Sequence, residues 1–235
     1  IGPSYKFRIV SNLGAAHWRL GEYDEAAALF REAAGYQPDD KVALANLAAA
    51  MIHAGEPAEA LCAARRLAEL DPASPDALLP LIQAQELVAP LPDPMSLVPP
   101  RLRDSEEALV GGAQVLRNRG DAGWINLVVR GAKLHPESDF LARMNADATL
   151  YRLAMVEGSH VGADGVDVPT RDEIVAAADI LDKAWQRTLA CQPTNADLSG
   201  AQNLAQLLRA LERHAEALAI LEQAEAFGDE EPKIA

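Results

Sequence analysis

Two stretches in the first third of the chain repeat each other at a spacing of 34 residues: Gly21 returns as Gly55, Ala26 as Ala60 and Pro38 as Pro72. Asn12 and Leu13 return as Asn46 and Leu47, and Gly14 is answered by Ala48. A fixed period near this length, with small residues at set offsets, marks helix–turn–helix units that stack into an array. No unit can bury its apolar face alone, so each needs its neighbours. The expected fold class is therefore all-α, a helical solenoid.

Composition agrees with that reading. Hydrophobic residues make up 49% of the chain but aromatics only 5%, so the apolar content is largely Ala and Leu. These are strong helix formers, and Ala lets helices approach closely. The net charge of −14, from 35 acidic and 21 basic side chains, argues against a general binder of phosphate backbones, which needs a basic stripe. Basic or apolar partners stay open. No apolar run reaches the roughly 20 residues needed to span a bilayer, and no signal peptide is seen. The chain begins at Ile1, so a leader could have been lost, and the sequence reads as a piece of a longer protein. Cys62 and Cys191, each in an apolar helical pattern, read as two buried reduced thiols.

Along the chain, the first repeat runs from about Phe7 to Asp40. Its first helix carries the stripe Val10, Leu13, Gly14 and His17; Gly21 permits a tight turn, and Ala26, Phe30 and Ala33 line the second helix up to Pro38. The second repeat, Lys41 to Ser74, keeps Leu44, Leu47, Ala48, Gly55, Ala60, Leu67, Ala68 and Pro72, with Pro57 at the start of its second helix. A third first-type helix spans about Pro75 to Val88. Where its partner should follow, Pro90, Pro92, Pro94, Pro99 and Pro100 forbid a helix interior. This segment is expected to be extended or polyproline-like, a strap over the exposed face of an unpaired helix, or else a place where the array bends. Asp104 or Ser105 restarts a helix, Gly120 turns it, and the next runs from Ala122 to Leu134. A long helix covers Asp139 to Glu157, a loop insertion occupies 158–169, and Thr170 to Glu173 forms a capping box for a helix to about Ala190. A last hairpin spans Leu198 to Phe227, which brings the expected total to about eleven helices. The division is into residues 1–88 (two full repeats and a half), a Pro-rich connector at 89–104, and helical hairpins over 105–235, with the array expected to continue further.

The residues Leu13, Gly14, Gly21, Tyr23, Ala26, Phe30, Ala33 and Pro38 resemble the tetratricopeptide repeat pattern, strongest over 7–74 and 198–227. Val10 and His17 depart from its usual Trp and Tyr, though both can fill a helix–helix interface. The resemblance implies a right-handed superhelical array of antiparallel helix pairs, whose first helices line a concave groove that holds a peptide or helix of another protein. On that register the inward positions include Arg8, Asn12, Trp18 and Arg19 in the first repeat and Asn46, Ile52 and His53 in the second. Arg143 and Asn203 take the corresponding Asn position further along. An Asn there offers a donor and an acceptor to an extended main chain. The net acidic surface would add an electrostatic preference. Trp18 beside Arg19 can either present a ring and a cation or pack against the next repeat's first helix, and both readings are open. Trp124 and Trp185 read as core. The clamp that relatives use on acidic chaperone tails is matched at Asn46 alone, since Ser11, Ala15, Asp76 and Pro80 fill its other places.

Nothing in the sequence reads as an active site. His17, His53, His135, His160 and His214 show no paired metal spacing, and no nucleophile elbow, phosphate loop or dinucleotide fingerprint is found. Gly111 and Gly112 suit close helix packing better than a phosphate cradle. His160, Asp164 and Asp167 share the insertion but fit no calcium loop, and they read as a turn. The expectation is a non-catalytic scaffold with no cofactor and no metal, binding a protein or peptide, with no nucleic acid and no membrane. The composition suggests a cytoplasmic protein of bacterial type. The alternative is the regulatory or substrate-recruiting region of a larger multidomain enzyme, a transferase or signalling protein. A homodimer through the unpaired helix and the Pro-rich segment is a third reading that the pattern does not single out.

Overall fold

The computed structural model describes residues 3–157, 167–191 and 198–228. Within these the chain forms α1 (Pro3–Leu20), α2 (Tyr23–Tyr36), α3 (Lys41–His53), α4 (Pro57–Leu70), α5 (Leu78–Val88), α6 (Glu106–Asn118), α7 (Gly123–Leu134), α8 (Asp139–Glu157), α9 (Arg171–Cys191), α10 (Ser199–Ala210) and α11 (His214–Gly228). No strand occurs among the described residues. The all-α array of antiparallel helix pairs expected from the repeat is what forms. The chain divides into two units, residues 1–127 and 128–235.

One backbone device reverses the chain in four hairpins. Gly21, Gly55 and Gly120 sit at φ 78°, 77° and 73°, and the same place after α10 is taken by Glu212 at φ 61°. At each site the N–H of that residue donates to the carbonyl three residues back, and the next N–H donates to the carbonyl five back. Examples are Gly21 to Trp18 at 3.1 Å and Glu22 to His17 at 3.0 Å, and again Glu212 to Arg209 and Arg213 to Leu208, both at 2.9 Å. This closes the orphan carbonyls of the finished helix through a left-handed residue, which glycine adopts without a Cβ penalty. Glu212 adopts it despite having one.

In the first unit the repeat's small positions are matched across the hairpin. A Cβ on Gly14 would stand 2.9 Å from Phe30 Cε1, so the ring lies directly on the glycine backbone. In the second repeat the equivalent places hold Ala48 and Ala64, both fully buried in the same core. The interface holds its volume by trading a ring against hydrogen for methyl against methyl. Arg31 of α2 joins this layer to α4 by two hydrogen bonds to Glu59, at 2.8 and 2.7 Å.

Helix α5 begins at Leu78 rather than Pro75. Pro80 lacks an N–H and its ring excludes a helical carbonyl four residues earlier, at Asp76. Instead of a polyproline crossover throughout, the segment after α5 makes two short 3-10 turns, Pro94–Leu97 and Pro100–Leu102, each opening on the proline that such a turn tolerates. Asp93 caps the first by accepting from Met95 N–H at 2.9 Å. Met95, Val98 and Leu102 then pack with Leu78, Ile82, Ala108 and Val115. The strap therefore covers α5, but it is thinner than a helix, and α6 closes directly onto α5. Gly111 permits that approach, since its Cβ would lie 3.2 Å from Ile82 Cδ1, and Gly112 leaves room for Met95 Sδ at 2.5 Å from such a position. The glycine pair is packing, as expected. Arg119 just past the end of α6 pins the strap: it pairs with Glu86 of α5 and donates to the strap carbonyls of Leu91 at 2.7 Å and Pro92 at 3.3 Å. Cys62, expected to be buried, is exposed on α4, because the inward face there is taken by Ala60, Leu61, Ala63, Ala64 and Leu67. The side chain of Cys191 lies outside the described residues.

The second unit centres on Ile174, Ala177, Ala178, Leu181 and Trp185 of α9 against Leu204, Ala205, Leu207 and Leu208 of α10. The capping box forms: Glu173 N–H donates to Thr170 Oγ1 at 3.3 Å, and Thr170 N–H donates to Glu173 Oε2 at 2.8 Å. Glu173 has a second task. The nearly buried Arg152 of α8 donates to both its carboxylate oxygens, at 3.0 and 3.3 Å, and through Nε to Asp167 O at 2.8 Å. Donation from the Arg152 guanidinium, outweighing the cost of burial, holds the Glu173 carboxyl far down, at about 2 against an ordinary 4.5.

Candidate peptide-binding face

Arg8, Asn12 and Arg19 recur at four and seven residues along α1, which places them on one helix face. All three are exposed, and none has a hydrogen-bond or ion-pair partner among the described residues. Asn46 holds the position of Asn12 in the next repeat, on α3. It is half-buried, and its side-chain amide is likewise unpartnered among the described residues. Both asparagines are mid-helix, where the backbone is already satisfied by the helix itself. Their amide donors and carbonyl acceptors are therefore spare.

Trp18 and His53 have internal work. Trp18 is half-buried, with its ring centroid 5.1 Å from that of Tyr23 and 5.0 Å from that of His53, edge-on to both. Tyr23 and His53 stack at 4.7 Å. This aromatic knot ties the turn after α1 to the end of α3, so the packing role open to Trp18 is filled. Ile52 is half-buried against the same core. His53 keeps an exposed edge. Trp124 is buried with Arg117 stacked over its ring at 5.0 Å, and Trp185 is buried with its indole N–H donating to Gln223 at 3.1 Å. Both are core, as expected.

In the second unit, Asn203 of α10 is half-buried with no partner among the described residues. Arg143 of α8 donates to the carbonyl of Asp139, at 3.2 Å, on its own helix. His160 and Asp164 lie outside the described residues. A cleft of about 250 Å³ lies among Asp179, Asp182, Leu204, Leu208, Arg213 and Glu216. Its rim is closed by the bidentate Arg213–Glu216 pair at 2.8 and 2.7 Å. Among the described residues no group of His, Cys, Asp or Glu is arranged to hold a metal.

The local charge of the face runs against the chain's total. Helices α1 and α3 carry Lys6, Arg8, Arg19 and Lys41 and no carboxylate, although the whole chain is at −14. The acid lies elsewhere, on second helices such as α2 and α11. The chain's total of −14 hides this local sign.

The Tetratricopeptide repeat family profile matches residues 17–78, and a second profile of the same description matches residues 198–224. These two stretches are tetratricopeptide repeats. Solved structures agree on the fold. PilF of Pseudomonas aeruginosa superposes with a TM-score of 0.57 at 15% identity, over 98% of this chain and 96% of that one. PilW, described as a widely conserved type IV pilus biogenesis factor, gives 0.58 at 14% identity over 96% and 95%. The human IFIT1 dimer with m7Gppp-AAAA gives 0.58 at 14% identity over 93% of this chain and half of that chain. No curated protein matches the chain. No helix among its described residues is long and apolar enough to cross a membrane.

Proposed function

We propose that this tetratricopeptide protein is a non-catalytic scaffold that holds an extended segment of a partner protein along α1 and α3. Asn12 and Asn46 grip the partner's main chain, and Arg8 and Arg19 select for an acidic segment. The observation that carries this reading is the pair of repeat-equivalent asparagines with unspent side-chain amides. An amide that pairs its donor and acceptor with one peptide unit reads the backbone whatever the side chains, and successive repeats extend that ladder. The carboxylate-free helices beneath it add attraction for acidic side chains, which is felt mainly in the rate of encounter. Trp18, Ile52 and His53 border the face as its apolar edge. Asn203 and Arg143 hold the corresponding register in the second unit.

Selection from a displayed library of random peptides tests the reading, followed by affinity measurement on wild type and on the Asn12→Ala/Asn46→Ala double variant. Losing two side-chain-to-backbone pairs at each site should weaken the selected peptides about 10- to 100-fold at unchanged melting temperature. Acidic residues should be enriched among the selected sequences. Equal affinity for the double variant rejects the asparagine ladder.

A further inference from the structure

We infer that the cleft of the second unit is a docking site for an arginine side chain carried by a partner protein. Helices α9 and α11 both pack on α10, and the trough between them has a volume of about 250 Å³. Its floor is apolar: Leu204 and Leu208 of α10, Ala178 of α9 and Ile220 of α11 are buried and still border the cleft. One wall is polar and exposed. Asp179, Asp182 and Gln186 follow one another at three and four residues, which sets them on one side of α9. Across the trough, Arg213 and Glu216 close the other rim as a bidentate pair.

The lining itself shows what the cleft accepts. Arg213 is a guanidinium already held there, with Nε and Nη2 on the two carboxylate oxygens of Glu216 at 2.8 and 2.7 Å. Donation to Glu216, and beyond it the charges of Asp179 and Asp182, hold its pKa above the ordinary arginine value. The Arg213–Glu216 pair is neutral as a unit and leaves the two aspartates over. Asp182 accepts from the Gln186 amide at 3.3 Å, and Asp179 has no hydrogen-bond or ion-pair contact among the described residues. Lys183, next to Asp182 in the sequence, does not line the cleft. Exposed carboxylates alone hold a cation weakly. The floor supplies the other half of the recognition, since it takes an aliphatic stem while the wall takes the charged head. An arginine side chain has both parts, and its planar fork fits a carboxylate with two parallel bonds, as Arg213 shows on Glu216. At the mouth, Gln186 gives an N–H to Asp182 and keeps its carbonyl oxygen as an acceptor for the backbone N–H of the incoming residue. The site shares no residue with the asparagine face on α1 and α3 and stands apart from it.

Nuclear magnetic resonance titration of the 235-residue chain with Nα-acetyl-arginine methylamide tests it. The backbone amide signals of Asp179, Leu208 and Ile220 should shift along one saturating isotherm. The citrulline analogue, alike in shape but uncharged, should bind at least ~10-fold more weakly, and so should the arginine probe on Asp179→Asn/Asp182→Asn. Both aspartates are exposed, so that variant should melt with wild type. Arg213→Ala removes the resident guanidinium and frees Glu216, so it should bind the arginine probe ~3- to 10-fold more tightly. Carboxylates with a purely structural role would give no such gain. Asn12→Ala/Asn46→Ala should leave the titration unchanged, which keeps this site distinguishable from the face on α1 and α3. Equal affinity for the citrulline analogue overturns the proposal, as does a cleft whose signals stay unmoved at about 50 mM probe. Tighter binding of spermidine than of the arginine probe would assign the cleft to free amines and overturns it too.

Discussion

Replacing Gly14 with Ala tests the packing rule of the first hairpin. The new methyl would sit 2.9 Å from Phe30 Cε1 and 3.1 Å from Cδ1, so the ring must retreat from a filled layer. Overpacking of this kind costs about 1–3 kcal/mol, while Gly to Ala within a helix returns about 1 kcal/mol. The net expectation is a loss of about 1 kcal/mol in the wild-type background. Phe30→Ala alone should cost about 3–5 kcal/mol, because the hole above Gly14 cannot fully collapse. In the double variant the methyl introduced at position 14 meets the methyl left at position 30, the arrangement that Ala48 and Ala64 adopt in the second repeat. There, Gly14→Ala should stabilise by about 1 kcal/mol relative to Phe30→Ala alone. The two changes should therefore couple by about 2 kcal/mol, with the sign of the first reversed by the second. Hydrogen exchange of the α1 and α2 amides, read by mass spectrometry, reports local opening energies without assuming that both units melt together. Additivity within about 0.5 kcal/mol would refute the complementary-volume account.

Glu212→Gly removes the side chain from a left-handed backbone position and should stabilise the α10–α11 hairpin by about 1 kcal/mol in hydrogen exchange; no gain would mean the Glu212 conformation is unstrained. Glu173, at about 2 when folded against an ordinary 4.5, adds stability that is fully present above pH ~4.5 and is lost as pH falls through that window toward 2. With 36% of its side chain in water, solvent screening reduces that contribution to about 1–2 kcal/mol. Glu173→Gln keeps the capping box but not the charge, so the stability gap between the two proteins should close between pH ~5 and ~2 in thermal melts followed by circular dichroism. Arg119→Met should raise protease cleavage within the strap at 89–105 at least ~5-fold, since the charge-assisted bonds to Glu86, Leu91 and Pro92 go with it; unchanged cleavage would show that Met95 and Val98 hold the strap unaided.

The period was legible because its markers are small residues whose role is steric: Gly21, Gly55 and Ala26 can be read without knowing what they touch. The fourth turn was harder, since Glu212 fills the slot that glycine marks elsewhere and only its φ reveals the equivalence. The Pro-rich strap was visible as a helix breaker, but the direct closure of α6 on α5 depends on Gly111 meeting Ile82, a pairing across a long connection. Arg152 gave no sequence signal at all, because a lone arginine in an apolar helix looks like any surface cation until its partner Glu173 is placed beside it. For the proposed face on α1 and α3, register singles out Asn12 and Asn46. That their amides are unspent, while Trp18 and His53 are engaged with Tyr23, required three-dimensional contacts.

The asparagine ladder is tested most directly by the side-chain amide resonances of Asn12 and Asn46, followed by nuclear magnetic resonance during titration with a library-selected peptide. Both pairs of NH₂ signals should shift together along one saturating curve, with the Arg8 and Arg19 guanidinium signals moving on the same isotherm. Saturation of binding with both asparagine amides unmoved would contradict the account and place the partner on another surface.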